Sequence, residues 1–189
     1  MSSPKVLTIS SVANLFSFDG AYILAFSWLF GMSFWISFFG GTIAYKTLPR
    51  QQFGTLQHRT FPIYFVISII LSGGLLAQWI ATHPSVLDNF TKPTFADVAQ
   101  AYALGTVFLS QAANYFVVGP MTSKVMFQRH KQEKSEGKAY NDPEVSSEMK
   151  ALNVKFAALH GWSSLANLFA VIALAFHGLW IGNTGLRPN

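Results

Sequence analysis

Hydrophobic side chains fall into four long stretches that carry no Lys, Arg, Asp or Glu, at approximately residues 20–45, 61–81, 98–119 and 156–181. A helix needs about 20 apolar residues to cross the roughly 30 Å hydrocarbon layer of a bilayer. Each stretch reaches that length, and most have no hydrophilic face, which argues against a soluble helical bundle. The pattern predicts an all-α membrane protein of one domain, residues 1–189, with four transmembrane helices in a bundle.

The polar exceptions inside these stretches carry the next level of information. His160, Ser163, Ser164 and Asn167 recur at i, i+3, i+4 and i+7, which sets them on one helix face. Polar groups at membrane depth are costly unless partnered, so this stripe reads either as a ligand, ion or proton site or as hydrogen-bonding glue between helices. On either reading it is expected to meet protein rather than lipid. Ser110, Gln111 and Asn114 form a second stripe on the third stretch, expected to face the first. In the first stretch Ser33, Ser37 and Gly41 recur every four residues, the small-residue spacing that admits a close helix neighbour.

Outside the spans, residues 2–18 place Val6, Ile9, Val12, Ala13 and Phe16 at helical spacing behind Pro4, as in a helix lying in the membrane interface. A mitochondrial presequence is the competing reading of that Ser-rich segment, and the first span is otherwise expected to act as an uncleaved anchor. Asp19 is the expected cap of the first span, and Pro49 suits a first helical turn in the link 46–59. Helical patterning continues past Gly119-Pro120 to a stop at Gly137. It resumes after Asn141-Asp142-Pro143, with Asp142 capping and Pro143 in the first turn. The third and fourth spans are thereby expected to extend as two cytosolic arms of about 20 to 25 Å. Asn89-Phe90-Thr91 is a glycan acceptor sequence if its loop is luminal.

Composition sharpens the class. Only 11% of residues are charged and 51% are hydrophobic, against roughly 25% charged in a soluble domain. The net charge of +5 is unevenly placed. Lys5, Lys92 and Arg187 lie with the termini and second link. Lys46, Arg50, Arg59, Lys124, Arg129, Lys131, Lys134, Lys138, Lys150 and Lys155 lie in the first and third links. Basic residues mark the cytosolic side, so both termini are expected in the lumen or outside the cell. The expected location is the endoplasmic reticulum or another endomembrane, or the plasma membrane, with a mitochondrial membrane as the alternative. The bilayer is the first partner, anionic lipid a second, and a second copy or another membrane protein a third. Nothing supports nucleic acid binding.

The chain has no Cys, which removes thiolate metal sites, iron–sulfur clusters and thiol nucleophiles. His58, His83, His130, His160 and His177 are read as interfacial or capping residues. His160 and His177 sit 17 residues apart, about 100° out of line for ligands on one helix. No metalloprotease, serine-nucleophile or phosphate-loop motif occurs. We therefore expect no enzyme, cofactor or metal.

The strings LPRQQFGTLQHRTFPIYF at 48–65, GPMT at 119–122 with Met126, and HGWSSLANL at 160–168, together with Gly31-Met32 and Trp35, resemble the transmembrane protein 205-like family. The resemblance covers nearly the whole chain. It implies a small four-span membrane protein, associated in animals with platinum-drug resistance and with export or trafficking of those drugs, and it brings no enzymatic reaction. This chain departs from some members in lacking Cys, which leaves thioethers such as Met32, Met121 and Met126 as the soft ligands. The family motifs and the predicted topology bring Arg50, Gln57, His58, Arg59, Pro120, Thr122 and His160 to one membrane boundary, next to Ser163, Ser164 and Asn167. That cluster is the candidate site for an anionic lipid headgroup, a partner's acidic segment or a substrate. The expected function is an accessory or structural membrane component that packs with a partner or itself. The alternative is a small transporter or efflux component linked to drug or metal tolerance.

Overall fold

A computed structural model describes residues 6–187. Pro4, which enters the terminal pattern, and Lys5, which enters the charge comparison, lie outside the described residues. Those described form helices joined by short turns, with no strand among them.

The N-terminal helix is shorter than the pattern predicts. α1 covers Ile9–Ala13, opened by a capping box in which Thr8 and Ser11 satisfy each other's backbone amides. Ile9 at its start and Phe16 beyond its end are both exposed. α2 (Phe18–Trp35), a π-helical turn (Ile36–Gly40) and α3 (Gly41–Thr47) make one rod. Its cap is Ser17, whose hydroxyl accepts from the Gly20 amide at 3.1 Å. Asp19, the expected cap, sits inside the first turn and instead accepts from Arg187 Nε at 3.0 Å.

Only Leu48 and Pro49 interrupt the chain before α4 (Arg50–Thr82). Most of the expected first link is therefore helix, and Pro49 is the residue preceding it rather than its first turn. α5 (Ser85–Asp88) leads to α6 (Ala96–Ala113), a second π-turn (Asn114–Val118) and α7 (Gly119–Glu136). Pro120 explains the placement of that turn. A proline cannot donate to the preceding turn and its ring crowds the carbonyl four residues back, and a widened turn relieves both problems. Gly137 closes α7 with φ 65°, a left-handed conformation that glycine adopts without penalty. α8 runs Ser147–Thr184, capped by Ser146, whose Oγ accepts from the Met149 amide at 3.1 Å. The predicted cap Asp142 closes a local turn onto the Glu144 amide at 2.8 Å instead, and Pro143 lies upstream of the helix.

Three helical rods are long and apolar enough to cross a membrane: Phe18–Thr47, Arg50–Thr82 and Ser147–Thr184. The predicted third stretch, 98–119, is helical but less apolar, because it contains Gln100, Gln111 and Asn114. All three are fully buried. α6 packs on α4 and α8, α2 packs on α4 and α8, and α7 packs on α8 and α4. Leu29, Trp79, Leu104, Val107, Ala170 and Leu174 fill the common core. At one end the Asp19–Arg187 pair, Gln78 Nε2 donating to the Phe18 carbonyl at 2.9 Å, and Ser85 Oγ donating to Asp97 at 2.7 Å gather four helix ends. The α3–α4 break and the α7–α8 loop occupy the other.

Candidate functional site

The central polar groups form one hydrogen-bonded network across the helices. Tyr64 Oη on α4 donates to Ser33 Oγ on α2 at 3.2 Å. Gln111 Nε2 on α6 donates to Tyr64 Oη and to Asn167 Oδ1 on α8, both at 3.3 Å. Asn114 Nδ2 donates to the same Asn167 oxygen at 3.4 Å and to the Ser163 carbonyl at 3.3 Å. These bonds are longer than the 2.9–3.0 Å mode, so each is modest and their number matters more than any one. Gln111 Oε1, Asn114 Oδ1 and Ser68 Oγ are buried with no hydrogen-bond partner among the described residues.

The two predicted stripes thus meet only along one edge. Ser163 and Asn167 turn inward, whereas His160 and Ser164 are exposed. At 100° per residue the four positions span an arc of about 100°, too wide for a single neighbour to cover. Ser110 is half-buried beside the network. The small-residue row is likewise divided: Ser33 is buried, Ser37 is exposed inside the π-turn, and Gly41 lies toward Gln57 of α4. A π-turn holds more than 3.6 residues, so a four-residue spacing does not keep one face through it.

A second cluster lies where the first turns of α4 run antiparallel to α7. Arg50 pairs with Glu133. Gly54 lies against Met126 and His130, where an added Cβ would fall 2.9 Å from the Met126 sulfur. His58 Nδ1 bonds Ser123 Oγ at 3.0 Å and packs on the edge of Phe127. The loop after α7 brings in Tyr140, whose amide donates to Glu133 at 2.8 Å. Two guanidinium groups stack on its ring, Arg50 at 3.6 Å and Arg129 at 4.5 Å from the centroid. Arg129 also lies 4.4 Å from the Phe156 ring, and its Nε donates to Asn153 Oδ1 at 2.8 Å. It is 5% exposed and has no carboxylate within salt-bridge distance among the described residues.

Burial, reinforced by Arg50, pulls the Arg129 guanidinium down to about 10, which leaves it charged at neutral pH. Burial followed by the charges of Arg50 and Arg129 lowers His130 below its ordinary value. Glu136 is held below the usual carboxylate range, first by the Ser146 hydroxyl and then by Gln132. That carboxylate clamps the end of α7 to the start of α8. Between α4 and the loop lies an open groove of about 890 Å³.

The remaining predicted residues do not converge. Arg59 and Pro120 are exposed, Gln57 is half-buried near Gly41, and Thr122 Oγ1 donates to its own helix at Val118. His160 is exposed and stacks on Phe156. Arg50 lies nine residues up α4 from Arg59, so the two do not share one depth. The thioethers also stay apart: Met32 packs on the core, Met126 lies against Gly54, and Met121 is exposed.

A third cluster was not anticipated. His177 is fully buried rather than interfacial. Its Nε2 bonds Tyr22 Oη at 2.7 Å and its Nδ1 bonds Gln100 Oε1 at 2.9 Å. Trp79 packs edge-on against it and stacks on His83, with ring centroids 3.8 Å apart. His83 does cap α4, but from inside the protein at 2% exposure. The available signal was Gln100 and His177 standing alone in apolar runs, since such residues require partners.

The clusters are spread over most of one compact helical unit, and comparison with known proteins covers that same unit. A family model described as "Domain of unknown function (DUF4149)" matches residues 24–131. The chain belongs to that family. The matched region runs from α2 through most of α7 and takes in Tyr64, Gln111, Asn114 and Arg129, while α8 lies beyond it. The chain is also 22% identical over 173 residues to Transmembrane protein 205 of Danio rerio, a match covering 85% of this chain and 89% of the relative. No solved structure matches.

Proposed function

We propose that this DUF4149 protein is a non-enzymatic, structural or accessory membrane component in which the α6–α7 rod is a fourth crossing segment. The observation that carries the accessory reading is the sealing of the central polar network. Ser33, Gln111 and Asn114 are 0% exposed, so the surfaces that a transport path would need are spent on holding helices together. The fourth crossing is supported by the outward side of its rod, where Leu109, Phe116 and Val117 are exposed and apolar, while its amides point inward. The partner surface is the α2 rod, which exposes Trp28, Phe34, Trp35, Phe38 and Phe39. Large exposed apolar patches mark protein or membrane contacts. The bases of the first and third links support an orientation with those links in the cytosol and the termini in the lumen or outside the cell.

Photo-crosslinking residues at Phe34 and Phe38, activated in native membranes, test the reading. A discrete protein adduct, or a dimer of this chain, is expected. Lipid adducts alone at both positions, matching those at Leu109, would overturn it. A second reading, as a component of a transporter, draws on the three unpartnered acceptors Gln111 Oε1, Asn114 Oδ1 and Ser68 Oγ, which a passing cation could use. That role requires an opened state and an oligomer, because four spans are few for alternating access.

A further inference from the structure

The groove between the start of α4 and the α7–α8 loop is lined by four permanent cations, Arg50, Lys131, Lys134 and Lys138, against one carboxylate, Glu133. That carboxylate is already engaged by Arg50 and the Tyr140 amide, and Lys138 is paired with Glu144 at 3.1 Å, so the unbalanced charge on the groove is that of Lys131 and Lys134. Lys131 and Lys134 are exposed and have no acidic partner among the described residues. The C-terminal end of the helix dipole stabilises cations near Glu136 and accounts for Lys134 in part. It does not account for Arg129, which is set back from the groove behind Tyr140. A buried charge is costly unless it is paired. Arg129 has two aromatic rings and one amide oxygen where a carboxylate would ordinarily stand. The surplus positive potential is therefore built into the wall of a concave site.

We propose that this groove binds a phosphate-bearing anion, with Arg50, Lys131 and Lys134 as the contacting cations and Arg129 as the buried source of field. Guanidinium and ammonium groups converging on a concavity suit the compact, multiply charged phosphate group. An acidic peptide would need an extended track. The volume of about 890 Å³ exceeds what inorganic phosphate fills and fits a phosphate ester or a phosphorylated headgroup. Depth bears on the source. Arg50 lies nine residues beyond Arg59 along α4, about 13 Å at 1.5 Å per residue, so the ligand is either soluble or a lipid whose headgroup projects well out of the membrane. The site stands independently of the accessory reading.

The test uses the full chain in nanodiscs at low and physiological salt. Inositol 1,4,5-trisphosphate is the soluble probe. Phosphatidylinositol 4,5-bisphosphate in the disc is the lipid probe, and phosphatidylserine discs and a glutamate-rich peptide are the comparators. The double variant Lys131→Gln/Lys134→Gln alters exposed side chains only, so the fold is retained, which its unchanged melting temperature verifies. It is expected to weaken phosphate binding by about tenfold or more, the scale of a lost charge-assisted contact. The charge-matched double variant Lys124→Gln/Lys155→Gln lies outside the groove and should change binding by no more than about twofold. Binding of the soluble probe, the lipid probe or both supports the site and identifies the source. Three results would overturn it: neither probe binds, the two double variants weaken binding equally, or the glutamate peptide binds as tightly as the phosphates.

Discussion

Asn167 is the residue on which the central network turns, because one oxygen accepts from both Gln111 and Asn114. Asn167→Leu leaves two amide donors buried without that acceptor. It should lower stability by about 1 to 2 kcal/mol, within the range of interhelical hydrogen bonds in membranes. Unfolding in bicelles measures this, and a double-mutant cycle of Asn114 with Asn167 should return a coupling of about 0.6 kcal/mol. Zero coupling would mean that the 3.4 Å contact contributes nothing. The roles of Gln111, Asn114 and Asn167 were legible because isolated amides in apolar runs must find partners. The Tyr22–His177–Gln100 chain was overlooked although Gln100 and His177 carry that same signal, because His177 and Tyr22 stand near span ends, where both residue types also serve as interfacial groups. The division of the His160 stripe was not legible, since it depends on how far the neighbouring helix reaches around α8.

Helices α4 and α7 approach closely because Gly54 removes a side chain at their crossing, and the second π-turn depends on Gly119 in a similar way. A Cβ at Gly119 would lie 2.6 Å from the Asn114 carbonyl oxygen, so Gly119→Ala must open the turn that aims Asn114 at α8. A cost of about 1 to 3 kcal/mol is expected, as for other overpacked sites. Hydrogen exchange should rise at 114–119, and an unchanged pattern there would show that the turn absorbs the methyl. Acid should also loosen the α4–α7 crossing. His130 faces Arg50 on α4, with Arg129, Lys131 and Glu133 beside it on α7 and Tyr140 in the loop, and its folded value is lowered. The unfolded chain therefore takes up the proton first. Stability is full above the ordinary histidine value of about 6.5 and falls as pH drops below it, until the lowered folded value is reached. Comparing thermal stability at about pH 7.5 and 5.5 should show the loss in the parent and a shallower one in His130→Gln. Equal slopes would exclude His130 as the titrating group. At this scale the helical stretches were readable from charge-free length, whereas their caps and π-turns were not. Ser17 and Ser146 displaced Asp19 and Asp142 because a short hydroxyl one residue outside the helix reaches the free amides that the acids, differently placed, do not.

Four rods joined by short turns return the chain to the end where it started, and the Asp19–Arg187 pair closes that end. The opposite end gathers the first and third links, joined by Arg50 with Glu133 and by Tyr140. That arrangement gives the basic residues a single address. Of the ten bases counted in those links, Arg50, Lys131, Lys134 and Lys138 line one groove, and their combined charge resists transfer across a membrane far more than Lys92 and Arg187 do at the other end. Charge of this sign is retained on the cytosolic side during insertion. A glycosylatable or pH-sensitive reporter appended after residue 189 should therefore report the lumen or the exterior, and one inserted at Gly137 in the α7–α8 loop should stay cytosolic. Changing Lys131, Lys134 and Lys138 together to Gln weakens the bias without touching a span, so a mixed population of orientations is the expected result. A C-terminal reporter that is cytosolic in the parent would reverse the orientation and leave the phosphate groove facing the lumen. A Gly137 reporter on the same side as one inserted at Lys92, in the α5–α6 loop, would remove the fourth crossing, because the α6–α7 rod alone separates those two positions.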